Sequence, residues 1–169
     1  MAVENPWNLD RINQAALPLD GNASMGPLTG AGIDIYVVDT GVRFTHEQLN
    51  GRVTAGLDVP TYNGTSEVDP PSSDCGGHGT HVAGIISTVA SGPQSRPGAI
   101  ILPVQIADAQ GSTSAQAVAS GIRYAVMRGA KVINLSVQGA GFSKVEQQAI
   151  DDATRAGVLV VAASGNTGA

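Results

Sequence analysis

The sequence lacks the residues from which a disulfide framework, a nucleic-acid-binding surface or a membrane span could be built. Cys75 is the only cysteine among 169 residues, so no disulfide can form within the chain. Nine lysine and arginine residues stand against fourteen aspartate and glutamate residues, and no basic cluster is present to neutralise phosphates. No apolar run is long enough to cross a bilayer. We therefore expect neither a nucleic-acid partner nor a membrane partner.

What the sequence does contain is typical of a single α/β domain over residues 1–169. Hydrophobic residues make up 42% of the composition and charged residues 14%, which is enough to bury a core. Short apolar runs alternate with helically spaced segments, a pattern that predicts a parallel sheet with helices on both faces. The predicted strands are residues 33–38, 53–59, 100–106, 132–137 and 158–163, and two predicted helices are 114–128 and 143–156. Residues 1–32, which contain several prolines and glycines, are predicted to form an irregular arm.

These two predicted helices carry signals for their ends. Ser143 and Glu146 have the spacing of a capping box, in which both side chains accept hydrogen bonds from free backbone amides at a helix start. Gly129 and Gly157 stand where glycine commonly ends a helix.

The tripeptide Asp39-Thr40-Gly41 follows the first predicted strand. Functional groups gather at the carboxyl ends of strands in a doubly wound sheet, so Asp39 is a candidate catalytic carboxylate. A simple turn at the strand end is the alternative. The same tripeptide occurs in aspartic peptidases, but there two such loops share one proton within an all-β fold. One copy in an α/β pattern argues against that class of enzyme.

His78 lies between glycines, immediately before an apolar segment with helical character. An imidazole in the first turn of a helix is held rigidly and can be reached from a cleft, as a general base must be. Cys75, His78 and His81 also have a three-residue spacing that suggests zinc, but the sequence offers no fourth ligand at matching spacing. We therefore interpret His78 as a general base and His81 as a buried structural histidine.

Asn166 follows an apolar strand, predicted to be buried, and a glycine. Its side-chain amide is a candidate donor to an oxyanion, an interaction worth about 2.7–4 kcal/mol in enzymes that use one. A plain loop asparagine is the alternative. Asp39 and His78 would be two members of a serine-peptidase triad, whose third member ought to be a serine in a Gly-Thr-Ser segment far downstream. No such segment follows Asn166 before Ala169. We expect the chain to be the front part of a hydrolase whose nucleophile is missing.

These motifs resemble the subtilases, the subtilisin-like serine peptidases, and most closely their proteinase K and aqualysin branch. The segments that carry the resemblance extend over essentially the whole chain and are Asn5–Ile12, Tyr36–Gly41, Gly77–Gly84, Val132–Ser136 and Ala163–Asn166. The resemblance implies an incomplete subtilisin-like α/β fold. It also implies that Asp39 orients the imidazole, that His78 is the general base and that Asn166 is the oxyanion donor.

The resemblance further implies which segments bind substrate. Family members hold the peptide between two edge segments, typically Gly-Ser-Gly and Ser-Leu-Gly, where this chain has Gly111-Ser112-Thr113 and Ser136-Val137-Gln138. Thr113 and Gln138 replace glycines, so we expect their side chains where a peptide backbone approaches, with Gln138 narrowing or refilling the specificity pocket. The implied substrate-binding residues are Gly111, Ser112, Thr113, Ser136, Val137, Gln138, Ala163, Ser164 and Gly165.

Some relatives bind a structural calcium ion through the N-terminal arm, and the resemblance extends to that site. The residues at the matching positions all carry oxygen donors, which calcium prefers, and are Asp10, Asn13, Gln14, Asp20 and Asn22. Asn13 is neutral where an aspartate is usual, which would weaken the site. A polar surface loop is the alternative.

Two functions remain open from the sequence. The first is the N-terminal part of a secreted subtilisin-like serine endopeptidase that acts on peptides or proteins and is inactive alone. The second is a non-catalytic pseudoprotease that binds a peptide, a prodomain or a partner subunit. In both cases we expect an exposed apolar face, covered by a C-terminal companion chain or by a homodimer. Secretion is implied by the resemblance alone, because no signal peptide is visible at the start of the sequence.

Overall fold

The computed structural model describes residues 7–23, 29–49, 51–54, 57–58, 74, 76–90, 98–108 and 110–167. The strands are β1 (Asp34–Asp39), β2 (Leu57–Asp58), β3 (Ile100–Gln105), β4 (Val132–Leu135) and β5 (Leu159–Ala162). The helices are α1 (Trp7–Asn13), α2 (His78–Val89), α3 (Ala115–Met127) and α4 (Lys144–Arg155), with a short 3₁₀ helix at Glu47–Leu49. In the part of the chain that is described, no helix is both long enough and apolar enough to cross a bilayer.

The strands form one parallel sheet in the order β2-β3-β1-β4-β5. The central strand β1 pairs with β3 in the register Asp34 to Ile100 and with β4 in the register Ile35 to Val132. Because all the strands are parallel, their carboxyl ends and the loops that follow them lie along one edge of the sheet. The α/β fold predicted from the sequence, a parallel sheet with helices on both faces, is confirmed.

The sheet carries a hydrophobic cluster on each face. Tyr36 and Val38 of β1 belong to a large cluster with residues of α3 and α4. Val37, between them, belongs to a second cluster with Leu49 and with Ala83 of α2. Successive strand residues point to opposite faces, so one apolar strand contributes to both clusters. This two-sided packing holds the end of β1 rigidly between α2 and the α3–α4 pair.

The helix ends follow the capping signals with one difference. Ser143 caps α4, and its Oγ accepts a hydrogen bond from the backbone N–H of Glu146 at 3.4 Å. Gly129 and Gly157 both have positive φ angles, 86° and 79°, as expected for glycines that end helices. Among the described residues, the reciprocal hydrogen bond from the Ser143 backbone to Glu146 is absent, so the capping box is half formed.

The N-terminal arm is more ordered than the sequence suggested. The prediction that residues 1–32 are irregular was wrong for Trp7–Asn13, which form α1. Leu9 and Asp10 are buried, with 5% and 3% of their surface exposed. The burial of these two side chains therefore stabilises a helix that is too short to be stable by itself.

Two predicted strands also differ from the structure. Of the residues within 53–59 that the structure describes, Leu57–Asp58 form a strand and Val53 makes an isolated bridge to Ile101. The prediction that the last strand is buried was wrong, because Leu159 is 60% exposed and Val161 is 47% exposed. In the described sheet β5 is an edge strand, and Leu159 and Val161 project from the same face of it, where the described residues leave them exposed.

Candidate active site

Asp39, the last residue of β1, and His78, the first residue of α2, meet at the carboxyl edge of the sheet. His78 Nδ1 lies 2.8 Å from Asp39 Oδ1, within hydrogen-bond distance. The side chain of Asp39 is 1% exposed and that of His78 is 54% exposed. A buried carboxylate thus holds an imidazole that solvent can reach. With Nδ1–H donating to Asp39, Nε2 is the nitrogen that remains for proton transfer in the cleft.

Hydrogen bonds satisfy only one of the two oxygens of the Asp39 carboxylate among the described residues. Oδ1 accepts from the backbone N–H of Thr40 at 2.7 Å in addition to its contact with His78. Oδ2 is buried, and no hydrogen-bond partner for it lies among the described residues. A carboxylate in this position can stabilise the positive charge that an imidazole carries after it has accepted a proton as a general base.

Gly79 explains how α2 comes so close to β1. A Cβ atom placed on Gly79 would overlap the carbonyl oxygen of Gly41 and would lie 3.2 Å from Cβ of Asp39. The Gly79 backbone N–H also donates to Thr40 Oγ1 at 3.0 Å. Only glycine allows this approach, so it is one of the residues that set the distance between Asp39 and His78.

Asp74 and Thr40 form a hydrogen-bond network around this pair, which the sequence reasoning missed. Thr40 Oγ1–H donates to Asp74 Oδ1 at 2.7 Å. Asp74 Oδ1 also accepts from the backbone N–H groups of Gly76 and Gly77 at 3.2 and 2.8 Å, and Oδ2 accepts from that of Thr80 at 2.8 Å. Burial alone would raise the pKa of Asp74, but the hydrogen bonds from Thr80, Thr40 and Gly76 outweigh it and hold that pKa below its ordinary value.

A cleft of about 380 Å³ opens beside the Asp39–His78 pair. Its lining residues are Asp39, Thr40, Gly76, His78, Ala107, Gln110, Gly111, Ser136 and Val137. Three of the predicted substrate-binding residues, Gly111, Ser136 and Val137, therefore line the same cleft as the imidazole. The remaining ones are not in the lining of this cleft, and neither is Asn166.

Asn166 lies in the loop after β5 and is joined to the end of β4 through Gln138. Its backbone N–H donates to Gln138 Oε1 at 2.9 Å. The same oxygen would lie 3.5 Å from a Cβ placed on Gly165. The Gln138 side chain thus bridges from the segment that follows β4 to the loop that follows β5. Thr113 instead turns back on its own loop and donates to the carbonyl of Ile106 at 2.7 Å.

His81 is exposed, so the prediction that it is a buried structural histidine was wrong. Ile85, one turn after His81, lies on the same side of α2. Both residues line a cavity of about 460 Å³. Within the described residues, no group of three His, Cys, Asp or Glu side chains is arranged to hold a metal ion. The zinc alternative also involved Cys75, which lies outside the described residues.

The oxygen-bearing residues of the N-terminal arm come together in one loop. Asn13 Nδ2 donates to the carbonyl of Asn22 at 2.5 Å, and Gln14 Oε1 accepts from the backbone N–H of Asp20 at 3.1 Å. Asp10 Oδ2 accepts from the backbone N–H of residue 21 at 2.8 Å. Asp10 Oδ1 is buried, and the described residues provide no hydrogen-bond partner for it. A buried carboxylate oxygen without a hydrogen-bond partner, in a loop rich in oxygen-bearing side chains, fits a bound cation.

Comparison with known proteins agrees with this geometry. Residues 30–169 match the subtilase family. The extracellular serine proteinase of Thermus sp. (strain Rt41A) is 41% identical over 169 residues, covering 98% of this chain and 39% of that protein. Subtilisin Savinase of Lederbergia lenta is 38% identical over 167 residues, covering 97% of this chain and 56% of that protein.

A solved structure gives the same result for the fold. The crystal structure of a cold adapted subtilisin-like serine proteinase superimposes with a TM-score of 0.81 at 35% identity, covering 98% of this chain and 57% of that one. The chain thus spans between 39% and 57% of the length of these three relatives. On this match of sequence and fold, the chain belongs to the subtilase family of subtilisin-like serine peptidases.

Proposed function

We propose that this chain supplies the acid–base part of a secreted serine endopeptidase and that the nucleophilic serine lies outside these 169 residues. The observation that carries the proposal is the 2.8 Å contact between the buried Asp39 carboxylate and the accessible His78 imidazole. Secretion is supported by a relative that is named an extracellular serine proteinase.

In the proposed reaction, His78 Nε2 takes the proton from the serine hydroxyl as its oxygen attacks the peptide carbonyl. Asp39 keeps the proton of His78 on Nδ1 and stabilises the positive imidazole that forms. Asn166 donates from its side-chain amide to the oxyanion of the tetrahedral intermediate. His78 then returns the proton to the leaving amine, and water releases the acyl group by the same route.

The test compares this chain with a joined protein, in which the C-terminal part of a subtilase catalytic domain, including its serine, follows residue 169. We expect cleavage of a chromogenic peptide by the joined protein and none by the chain alone. Serine-dependent turnover by the pure chain, sensitive to a fluorophosphonate, would contradict the proposal.

The same pair of proteins tests the proposed companion for β5. Leu159 and Val161 expose apolar surface that the added segment would cover. We expect sedimentation to show self-association of the chain alone and a monomeric joined protein. A chain that stays monomeric at high concentration would argue against both the companion and the homodimer.

A peptide-binding role without catalysis is the second candidate, supported by the Gln138 side chain, which bridges from its own predicted substrate-binding segment to the loop of Gly165 and Asn166. Replacing Gln138 with glycine removes this bridge. We expect Gln138→Gly to open the specificity pocket of the joined protein. Its kcat/KM for peptides with a large side chain before the cleaved bond should then rise about tenfold relative to its kcat/KM for peptides with alanine at the same position.

The matched control for Gln138→Gly is Gln138→Glu, which keeps the length of the side chain and an accepting oxygen. Its selectivity should stay close to that of the unsubstituted joined protein. Equal effects of both substitutions on selectivity would show that Gln138 does not fill the pocket. Peptide binding by the chain alone, measured by fluorescence anisotropy and unaffected by His78→Ala, would favour the non-catalytic role.

We also propose that the N-terminal loop binds a structural calcium ion through Asp10, Asn13, Gln14, Asp20 and Asn22. When bound, calcium would neutralise two carboxylates and link α1 to the loop that follows it. The unpartnered, buried Oδ1 of Asp10 supports this proposal.

Calcium at about one hundred times its Kd is expected to stabilise the folded chain by about 2.7 kcal/mol. For a protein of this size that raises the Tm by roughly 5–11 °C. Thermal melts in calcium and in EDTA measure the difference. Asp10→Asn should abolish it, whereas Asp108→Asn, in a different loop, should keep it. Identical melts of the unsubstituted chain in calcium and EDTA would exclude the site.

A further inference from the structure

We propose that Asp74 is a positioning residue that holds the His78 imidazole against Asp39. The side chain of Asp74 accepts hydrogen bonds from backbone groups on both sides of His78, at Gly77 and at Thr80. It also accepts from the hydroxyl of Thr40, the residue next to Asp39. One carboxylate therefore ties the backbone that carries the imidazole to the backbone that carries its partner.

The start of α2 shows why this tie is needed. Gly77, at the N-cap position, has no side chain to cap the helix, and its φ angle is 80°. An N-cap side chain normally satisfies the amides of the second and third helical residues, here Gly79 and Thr80. Thr40 Oγ1 accepts from the first of these and Asp74 Oδ2 from the second. The cap of α2 is thus supplied from the end of β1 and from the preceding loop, both beside the catalytic pair.

The imidazole depends on this backbone placement because little else holds it. Among the described residues, Asp39 is the only hydrogen-bond partner of the His78 ring. The ring is 54% exposed, so packing restrains it weakly. A shift of the first turn of α2 would therefore move Nδ1 away from Asp39 Oδ1 without meeting resistance from other contacts.

The negative charge of Asp74 suits this position. A carboxylate at a helix N-terminus interacts favourably with the helix dipole and with the free amides there. The lowered pKa of Asp74 means that its contribution to stability is present above about pH 4, where an unfolded aspartate ionises. That contribution is lost as the pH falls through the lowered pKa. The network is therefore fully formed at pH 7.

The inference rests on the proposed role of His78, but its test does not require catalysis. The proton on His78 Nδ1, hydrogen-bonded to Asp39, should give a downfield NMR signal at pH 7 that disappears in His78→Ala. We expect Asp74→Ala to make exchange of this proton with water about tenfold faster or more, because lost hydrogen bonds to a charged group loosen the first turn. Thr40→Val, which removes the acceptor for Gly79, should act in the same direction.

Ser143→Ala is the matched control, since it removes the cap of α4 and so lowers stability at a distance from the site. Its His78 signal and exchange rate should equal those of the unsubstituted chain. If Asp74→Ala gives the same signal and rate as Ser143→Ala, Asp74 is only a helix cap and the proposal is wrong. If Asp74→Ala does not fold, the His78 proton signal and its exchange rate in Asp74→Asn and Thr40→Val are compared with those in Ser143→Ala instead. An inactive joined protein with an intact, Asp74-dependent signal would refute the peptidase proposal and leave this one standing.

Discussion

Replacing His78 with alanine in the joined protein is expected to lower kcat by about 10⁶-fold, the magnitude measured on subtilisin, a member of the same family. The nucleophile would lose the group that takes its proton, and the leaving amine would lose its proton donor. Asp39→Ala is expected to cost about 10⁴-fold, because Asp39 acts through the imidazole and does not touch the substrate.

His81→Ala provides the control for this experiment. His81 lies on the same helix, three residues further along, and is exposed. Its replacement removes an imidazole without touching the Asp39 contact, so we expect activity close to that of the unsubstituted joined protein. Initial rates with a chromogenic peptide measure all three variants. A His78→Ala variant that keeps a tenth of the activity would show that another group is the base.

Gly79→Ala is expected to lower both stability and activity, because it forces a methyl group against the carbonyl of Gly41. The carbonyl belongs to the backbone and the added Cβ is fixed directly to it, so relief requires α2 to move away from β1. Overpacking of this kind costs about 1–3 kcal/mol or more. The same movement separates His78 from Asp39, so kcat of the joined protein should fall well beyond what the stability loss alone would cause.

Gly84→Ala makes the same chemical change in the same helix and should have the opposite effect on stability. A Cβ at Gly84 meets no atom within 4 Å. Alanine is a better helix former than glycine, so this variant should be more stable by about 0.5–1 kcal/mol. Urea unfolding of both variants gives the comparison. Equal stabilities of Gly79→Ala and Gly84→Ala would show that α2 is not packed tightly on β1.

The parts of the fold that sequence reasoning predicted well are those specified by local pattern. The apolar run of β1, the helical spacing of α3 and the serine that caps α4 each depend on residues close together in the chain. The candidate catalytic pair was also predictable, because Asp39 ends a strand and His78 begins a helix. In a parallel sheet those two places lie at the same edge.

What the sequence could not reveal depends on contacts between distant segments. α1 is short, and the burial of Leu9 and Asp10 against the domain stabilises it, which helix propensity does not report. Asp74 looks like an ordinary loop aspartate until the fold brings Thr40 to within 2.7 Å of it. The available signal was an aspartate four residues before His78. It can be interpreted only when the structure shows that the first turn of α2 lacks a cap of its own.

The exposed edge of β5 has a consequence for how a cell makes this polypeptide. In the described sheet, β5 has no neighbour on its outer side. An open strand edge that displays leucine and valine is a template on which other nascent chains can add. We therefore expect the isolated chain to aggregate less when it is made at low concentration or together with chaperones that bind this edge.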